Sequence, residues 1–424
     1  MAEFNLPEYR VSVDQLEPGV FIRLENIRWF EHPFLFNSFK ISSEQQIAIL
    51  RDLGIKEVIC VPEKSERLPG RPREESGPPP KKRPVATEAA MDSLWRKKKA
   101  QAERLQKKRE HLARCEERYA ATVKNVSAIT QGILAERVSS MAEAAKLVAD
   151  MTEFFLSDVE STLHLVNVMN QGERIHFHAM NVTVLSLMLG HKAGMTGQEM
   201  NALGMAALFH DIGKARIEKK LLRKRGTLSP AERAVVERHP RMGVEILART
   251  SDFPAMALEA VAQHHELADG SGYPRKLTLD AIGTAARILA LADTYDNHCN
   301  HPDPLESYTP YQALSFMFTQ QKELFDPDLL PLFIRCLGVY PPGTVVQLSN
   351  GSIGLVVSVN PENQLFPNVL VHAPDIPKKS ALIIDLAEEP DLTIEKSIRL
   401  SHLPGEIIDY LNLRSRISYS LDAS

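Results

Sequence analysis

The chain of 424 residues contains little cysteine and no long apolar run. Its four cysteines, Cys60, Cys115, Cys299 and Cys336, lie far apart and form no Cys-x-x-Cys pair, which argues against a disulfide framework and a thiolate zinc site. The first residues show no basic segment followed by an apolar core, and no run approaches the roughly 18 apolar residues of a membrane span. These absences predict a cytoplasmic protein that is neither exported nor inserted into a membrane.

The chain also lacks an excess of either charge, because 50 Lys and Arg residues face 54 Asp and Glu residues. A net charge of -4 excludes a global attraction to nucleic acid, so DNA is not an expected partner. A local positive excess between Lys81 and Arg109 has the composition of a solvated helix. With 44% hydrophobic residues, the chain can bury real cores, and its length predicts two to three domains.

Composition and hydrophobic pattern divide the chain into five segments and predict a mostly α fold. They are a small α+β N-terminal domain (1–61), a Pro/Lys-rich linker (62–90), charged and connecting helices (91–170), a helical-bundle domain (171–340), and a short β-rich extension with a C-terminal tail (341–424). Inside the helical domain, Ser229 and Glu232 form a predicted capping box around Pro230. In the extension, two β-rich runs around Asn350 and Gly351 predict a hairpin.

The helical domain places polar residues where a core should be apolar. His178 shares a helix face with Val182 and Leu185, so its imidazole should point into the bundle. Further His and Asp residues follow at intervals of about one helix and one loop. Five helical segments can therefore bring these side chains to a common layer of an antiparallel bundle. The series comprises His178, His210, Asp211, His239, His264, His265 and Asp293.

Five imidazoles and two carboxylates without a thiolate suit Fe, Mn, Zn or Ni better than Cu(I) or an iron–sulfur cluster. Seven ligands are too many for one ion, so we predict that Asp211, central in the series, bridges two divalent metals. Taken singly, each residue has a simpler interpretation, such as a hydrogen-bonded core histidine or a solvated lysine at Lys214. The joint recurrence favours a metal site, and His176, His191, His298 and His301 lack that support.

Four motifs resemble the HD-GYP subgroup of the HD phosphohydrolase superfamily: HDIGK at 210–214, HPRMG at 239–243, HHELADGSGYP at 264–274 and ADTYD at 292–296. The joined HHExxDGxGYP element is far more specific than the HD pair alone. Residues 10–61 are similar to an uncharacterised N-terminal domain that often precedes such modules in bacteria.

This resemblance implies a bacterial phosphodiesterase that hydrolyses the second messenger cyclic di-GMP, to linear pGpG or on to GMP. One metal would be held by His178, His210, Asp211 and Asp293, and the other by Asp211, His239, His264 and His265. The resemblance favours Fe or Mn and allows Zn, Ni or Mg. Asp211 and Lys214 would be catalytic, and Lys214 would contact the substrate phosphate.

The resemblance also implies that Tyr273 and Pro274, in the GYP loop, lie near the site mouth or at a surface that binds diguanylate cyclase domains. Where members with a third metal carry Glu, this chain has Arg174, so two metals are expected. The segment NHCNHPDPLES replaces an Arg-Pro-Tyr-Arg element that contacts substrate phosphate in the family. Phosphate binding would then fall to Arg275 or Arg287.

Two other interpretations remain open at this level. The same dinuclear site could act on another nucleotide, or catalyse an oxygen-dependent reaction on a di-iron centre. Alternatively, the protein could be a non-catalytic receptor or scaffold that binds cyclic di-GMP or a diguanylate cyclase. The charged helix after the linker could also support a homodimer.

Overall fold

The computed structural model describes residues 7–25, 27–28, 31–34, 36–70, 85–137, 139–157, 166, 174–224, 226–250, 252–301, 306–360, 363–374, 376, 378, 381–389, 392–399 and 402–411. The chain divides into two compact units. The first comprises Met1–Glu110, Leu348–Ile353 and Leu370–Ile384, and the second comprises His111–Gln347, Gly354–Val369 and Asp385–Ser424.

A four-stranded antiparallel sheet forms the centre of the first unit, in the order β1-β4-β2-β3. Its strands are β1 (Tyr9–Ser12), β2 (Phe21–Arg23), β3 (Ser38–Lys40) and β4 (Glu57–Cys60), and helix α1 (Glu44–Asp52) lies between β3 and β4. Ile47 and Leu50 of α1 are fully buried in the core of this unit. The helix is followed by Gly54, whose φ of 75° suits a residue without a side chain.

Helix α2 (Val85–Leu134) begins inside the segment 62–90 that the composition predicts to be a linker. Residues 71–84 of that segment lie outside the described residues. The apolar side chains of Ala90, Met91 and Leu94 pack against the core of the first unit, which therefore extends beyond residue 61. This part of α2 is rich in Lys and Arg, so its overall composition does not reveal the few apolar residues on one face of the helix.

Helices dominate the second unit. After α2 come α3 (Ser140–Ser157), α4 (Arg174–Lys192), α5 (Gly197–Phe209), α6 (Lys219–Leu222), α7 (Pro230–Val236), α8 (His239–Leu247), α9 (Ala255–Gln263), α10 (Thr284–Cys299), α11 (Pro310–Gln320) and α12 (Leu329–Leu337). A short 3-10 helix (Ile212–Arg216) connects α5 to α6. The part of α2 after residue 110 joins this core through residues that include Cys115, Tyr119 and Val126.

Capping boxes fix the start of three of these helices, and the one at α11 is formed by Thr309 and Gln312. Thr196 and Glu199 cap α5, and Ser229 and Glu232 cap α7, where Pro230 occupies the first turn. The capping box predicted at Ser229 is confirmed. Each box satisfies backbone N–H groups that have no partner within the helix, and so defines where the helix begins.

The C-terminal extension forms a five-stranded sheet in the order β8-β7-β6-β5-β9. The strands are β5 (Val345–Leu348), β6 (Ile353–Ser358), β7 (Asn368–Val371), β8 (Leu382–Asp385) and β9 (Ile394–Ser397), and helix α13 (Gly405–Tyr410) follows. Strands β5 and β6 flank Asn350 and Gly351, as the hairpin pattern predicts. The fold class is confirmed as mostly α with two small sheets, one of them C-terminal. No helix in the described ranges is long and apolar enough to span a bilayer.

Candidate metal centre

The structure brings all seven histidines and aspartates of the predicted series together inside the second unit. His178 lies on α4, and Asp293 lies on α10. The other five lie at helix ends: His210 and Asp211 directly follow α5, His239 begins α8, and His264 and His265 directly follow α9. Helix ends suit this task because a side chain there can turn into the space between neighbouring helices.

Two groups of ligand atoms share one residue, Asp211. His178, His210 and Asp211 form one group, and Asp211, His239, His264 and His265 form the other. Within each group the ligand atoms all lie within 4.8 Å of one another. Each group could hold a divalent metal ion, and the donor set of imidazoles and carboxylates fits such an ion.

The two oxygens of Asp211 face different groups. Oδ1 lies 3.2 Å from Nε2 of His239. Oδ2 lies 3.6 Å from Nε2 of His210 and 3.7 Å from Nε2 of His178. Asp293 approaches the first group, with Oδ1 3.1 Å from Nε2 of His178. Its Oδ2 lies 3.8 Å from Nδ1 of His265, so Asp293 also lies between both groups.

Three imidazoles are oriented by the backbone three residues earlier. Nδ1 of His210 donates to the carbonyl of Ala207 at 2.8 Å, and Nδ1 of His239 donates to the carbonyl of Val236 at 2.8 Å. His264 makes the same contact at 2.7 Å. Because Nδ1 carries the proton in each case, Nε2 of a neutral imidazole presents its lone pair to the site.

The arrangement places lone pairs against each other. Nε2 of His239 lies 3.1 Å from Nε2 of His264, and both nitrogens are acceptors when the rings are neutral. Oδ1 of Asp211, also directed at His239, is buried and has no hydrogen-bond partner among the described residues. A cation between these atoms removes the repulsion and satisfies the orphaned oxygen. The residues present therefore fit a bound metal ion.

Burial and neighbouring charges determine the protonation of the side chains in the site. Burial opposes a charge on His178, but the carboxylates of Asp293 and Asp296 outweigh it and raise its pKa to about 10. Burial lowers the pKa of His265 to about 3, and lowers that of His264 well below its usual 6.5. Burial disfavours charge on Asp211, yet Lys214 and nearby imidazoles hold its pKa well below 3.8. Ionised aspartates and neutral His264 and His265 are the forms that bind metals.

Lys214 lies on the 3-10 helix, and its Nζ donates to Oδ2 of Asp211 at 2.6 Å. This helix packs against the start of α8 without room for a side chain at Gly213. A Cβ there would lie 2.0 Å from the carbonyl oxygen of His239 and 2.6 Å from the amide nitrogen of Gly243. The close approach brings Asp211 and His239 to the same point.

The loop that follows His265 folds back over it. The Tyr273 ring stacks on the His265 ring, with centroids 4.6 Å apart and 30° between the planes. The buried carboxylate of Glu266 anchors the loop, because it accepts from the backbone amides of Arg275 at 2.6 Å and Leu277 at 2.8 Å. At Gly272, a Cβ would lie 2.4 Å from the carbonyl oxygen of His265.

The residues predicted to bind substrate differ in whether their side chains are free to contact a ligand. Pro274 and Arg275 are exposed, and the Arg275 guanidinium forms no ion pair with any residue that the structure describes. Arg287 instead donates to Asp326 at 2.7 Å and to the carbonyl of Ile282 at 2.8 Å, so its guanidinium already has partners. The Arg174 side chain lies outside the described part of the chain.

Several residues around the site were missed by the sequence reasoning. Asp296 accepts from Nδ1 of His178 at 2.7 Å, and Asn297 donates to Asp293 at 2.8 Å. Glu266 was missed as a loop anchor. Asp296 lies three residues after Asp293, on the same helix face, and this spacing was a signal that could have found it.

The fold and the site together define a helical His/Asp metal-binding domain of the HD type. Three family models match the chain in sequence: a domain of unknown function (DUF3391) at residues 8–144, an HD domain at 134–329, and a KOW domain associated with HD domain at 345–405. The region 134–329 therefore contains an HD domain, and its motif set resembles that of the HD-GYP subgroup.

Curated relatives that are similar to this chain include proteins named cyclic di-GMP phosphodiesterases. A cyclic di-GMP phosphodiesterase of Pseudomonas aeruginosa is 28% identical over 85% of this chain and 84% of its own length. The cyclic di-GMP phosphodiesterase response regulator RpfG of Xanthomonas campestris is 36% identical over 35% of this chain, which spans only 39% of RpfG. A solved HDG"Y"P protein from Bdellovibrio bacteriovorus has a TM-score of 0.47 and 15% identity, over 77% of this chain and 98% of its own, too low a similarity to compare residues.

Proposed function

We propose that the protein is a metal-dependent phosphodiesterase that hydrolyses cyclic di-GMP to linear pGpG, GMP or both. The observation that carries this proposal is the convergence of six histidines and aspartates into two groups that share Asp211, with Asp293 3.1 Å from His178 of the first group. The relatives in Pseudomonas aeruginosa and Xanthomonas campestris are named cyclic di-GMP phosphodiesterases, which supports the choice of substrate. A non-catalytic receptor would not need an intact ligand set.

The site suits two divalent ions, with Fe or Mn the first choice for imidazole and carboxylate donors and Zn, Ni or Mg as alternatives. His178, His210, Asp211 and Asp293 would hold one ion, and Asp211, His239, His264 and His265 the other. When bound, a pair of ions lowers the pKa of water and neutralises charge on the phosphate during in-line displacement. The protein supplies the fixed positions of the donors.

The chain's own groups act on the substrate around this centre. The ammonium of Lys214, directed at Oδ2 of Asp211, lies where charge would build on the phosphate oxygens. The buried carboxylate of Asp211 would hold the ions, since its Oδ1 has no hydrogen-bond partner among the described residues. Tyr273 offers a half-buried ring, and Arg275 an exposed guanidinium, to a base or phosphate entering at the loop. Arg287 is paired with Asp326, so its guanidinium is not available for this role.

The test uses the full chain, stripped with a chelator, reloaded with Mn²⁺ or Fe²⁺ and incubated with cyclic di-GMP. We expect metal-dependent release of pGpG or GMP, separated by chromatography. Absence of cleavage with metal measured on the protein would refute the enzyme and support the receptor alternative.

A matched pair of variants distinguishes site chemistry from general damage. Asp211→Asn keeps the size of the side chain but removes the shared charge, so turnover and metal binding should both be lost. Asp280→Asn changes an exposed aspartate of the same unit and should leave both unchanged. Equal turnover by the two variants would contradict the role of Asp211.

A second substrate has specific support among the relatives. A Vibrio cholerae protein named 3'3'-cGAMP-specific phosphodiesterase 2 is 31% identical over 46% of this chain. Both compounds are cyclic dinucleotides and differ in one base, so discrimination would depend on contacts to the bases. The preference is measured by incubating the protein with equal concentrations of the two compounds. If 3'3'-cGAMP is cleaved faster, it is the preferred substrate in place of cyclic di-GMP.

Cellular context is the third part of the proposal. The four cysteines are free thiols, as expected for a protein of the reducing cytoplasm. The exposed Pro274 and Arg275 give a diguanylate cyclase domain a surface to bind. Copurification with such a domain, lost on Arg275→Ala, tests that contact. Light scattering of the full chain tests whether it forms a homodimer.

A further inference from the structure

We infer that Tyr119 is a positioning residue for the metal-binding group, acting on His178 through Asn181 and Asp296. The inference rests on the metal-binding part of the proposed function. Tyr119 lies on α2, far in sequence from every predicted ligand, and it belongs to no motif that identified the site. A continuous series of hydrogen bonds between buried and half-buried side chains nevertheless connects its hydroxyl to a ligand imidazole.

The series has three hydrogen bonds. The hydroxyl of Tyr119 donates to Oδ1 of Asn181. Nδ2 of Asn181 donates to Oδ1 of Asp296 at 2.7 Å. Oδ2 of Asp296 accepts from Nδ1 of His178 at 2.7 Å, which leaves Nε2 of His178 directed at His210 and Asp293.

Only one orientation of the Asn181 amide satisfies both neighbours. A carboxylate can only accept, so Asp296 requires the NH₂ of the amide. Oδ1 of Asn181 must then accept, and the hydroxyl of Tyr119 is the donor that it receives. Without this donor, the amide would lose the partner that opposes its rotation. Asp296 would keep Asn300 as a donor to Oδ1 at 2.8 Å but would lose the fixed contact with Asn181 that helps to orient it toward His178.

Burial makes the series rigid. Tyr119 is 1% exposed, Asn181 3% and Asp296 1%, so water does not compete for these bonds. The Tyr119 ring packs beside the Phe177 ring, at a centroid distance of 6.3 Å, next to His178 in sequence. Burial, assisted by the charge of Asp296, raises the pKa of Tyr119 well above 10, so the hydroxyl stays a donor.

The test compares Mn²⁺ affinity in the full chain after chelator treatment, by calorimetry. Tyr119→Phe keeps the ring and removes only the hydroxyl, and we expect it to weaken Mn²⁺ binding by about tenfold, the lower end of the range for groups behind metal ligands. Thr183→Val is the matched control, because it removes another buried hydroxyl of the same region, which among the described residues bonds to the carbonyl of Ala179 alone. It should bind Mn²⁺ as the unchanged protein does.

A double-mutant cycle separates positioning from general destabilisation. If Tyr119 acts through Asn181, Tyr119→Phe should have no further effect on Mn²⁺ affinity once Asn181→Ala is present. Independent, additive losses would overturn the inference, and so would unchanged affinity in Tyr119→Phe. A different result would refute the proposed function. The unchanged protein would then bind no Mn²⁺, or would bind Mn²⁺ without cleaving cyclic di-GMP.

Discussion

The buried carboxylate of Asp211 shows how much of the chemistry depends on single atoms. Its Oδ2 accepts a hydrogen bond from the ammonium of Lys214. Its Oδ1 faces the acceptor nitrogen of His239 and has no hydrogen bond among the described residues. Burying an unpaired charged oxygen is costly, so proteins keep such groups where an ion or a ligand compensates. The same reasoning applies to the nitrogens of His239 and His264, which face each other.

Lys214 is expected to stabilise the transition state, since its ammonium lies within the site and faces a shared carboxylate. Lys214→Met should lower kcat for cyclic di-GMP by about 100-fold, the usual loss when one such donor is removed. The metal content should be retained, because Lys214 is not a ligand. Lys220→Met, at an exposed position on α6, is the control for steady-state kinetics. A kcat within twofold of the unchanged protein would remove Lys214 from the mechanism.

Lys98, in the first unit, gives a prediction that is independent of the metal site. It is buried, and its Nζ donates to the carbonyl of His32 at 2.7 Å. Burial lowers its pKa from 10.5 to about 8. Between these values the unfolded chain binds more protons than the folded protein, so the free energy of unfolding rises with pH across this window.

Lys98→Met should remove this rise, which amounts to about 3 kcal/mol at about 1.4 kcal/mol per pKa unit. Urea unfolding followed by tryptophan fluorescence measures it, because Trp95 lies in the first unit, three residues before Lys98. Lys99→Met, at an exposed position one residue on, should keep the pH dependence. The same slope in both variants would show that Lys98 is not the titrating group.

At the level of elements, the contact between the 3-10 helix and α8 sets the spacing of the ligands. Gly213→Ala would push a methyl group against the backbone of His239 and Gly243. We expect a loss of about 1–3 kcal/mol in the free energy of unfolding, as for other overpacked sites, and at least about tenfold weaker Mn²⁺ binding.

Gly197→Ala is the control for this substitution, because a Cβ at the start of α5 meets no atom within 4 Å. It should leave Mn²⁺ binding unchanged and should be neutral or slightly stabilising. Chemical unfolding and calorimetry give both quantities for the two variants. Normal metal affinity in Gly213→Ala would show that the site tolerates a shift of the 3-10 helix.

Helices and ligand candidates could be predicted because their signals are local. The period of apolar residues placed His178 on an inward face, and the capping box gave the start of α7. The long-range partners could not be predicted, since they depend on packing. Arg287 looked available for phosphate, but it pairs with Asp326, 39 residues later. Likewise Tyr119 meets Asn181 across 62 residues, and no pattern near either residue indicates the contact.

The whole molecule combines an N-terminal unit, a helical domain with the ligand cluster, and a C-terminal sheet. Motif spacing predicted the helical domain, because each ligand lies about one helix and one loop from the next. Composition alone did not indicate that α2 begins within the segment 62–90, because a helix rich in Lys and Arg can still bury a few apolar residues such as Met91 and Leu94. Sheet order was beyond a single sequence, since strand pairing is set by non-local contacts.

The most direct test of the account follows metal occupancy and turnover together in the full chain. Mn²⁺ is added stepwise to chelator-treated protein, the bound metal is measured per chain, and hydrolysis of cyclic di-GMP is recorded at each step. The account predicts that hydrolysis appears with bound metal, reaches its maximum at two ions per chain and disappears when the chelator returns. Hydrolysis at full rate without bound metal, or none at full occupancy, would contradict it.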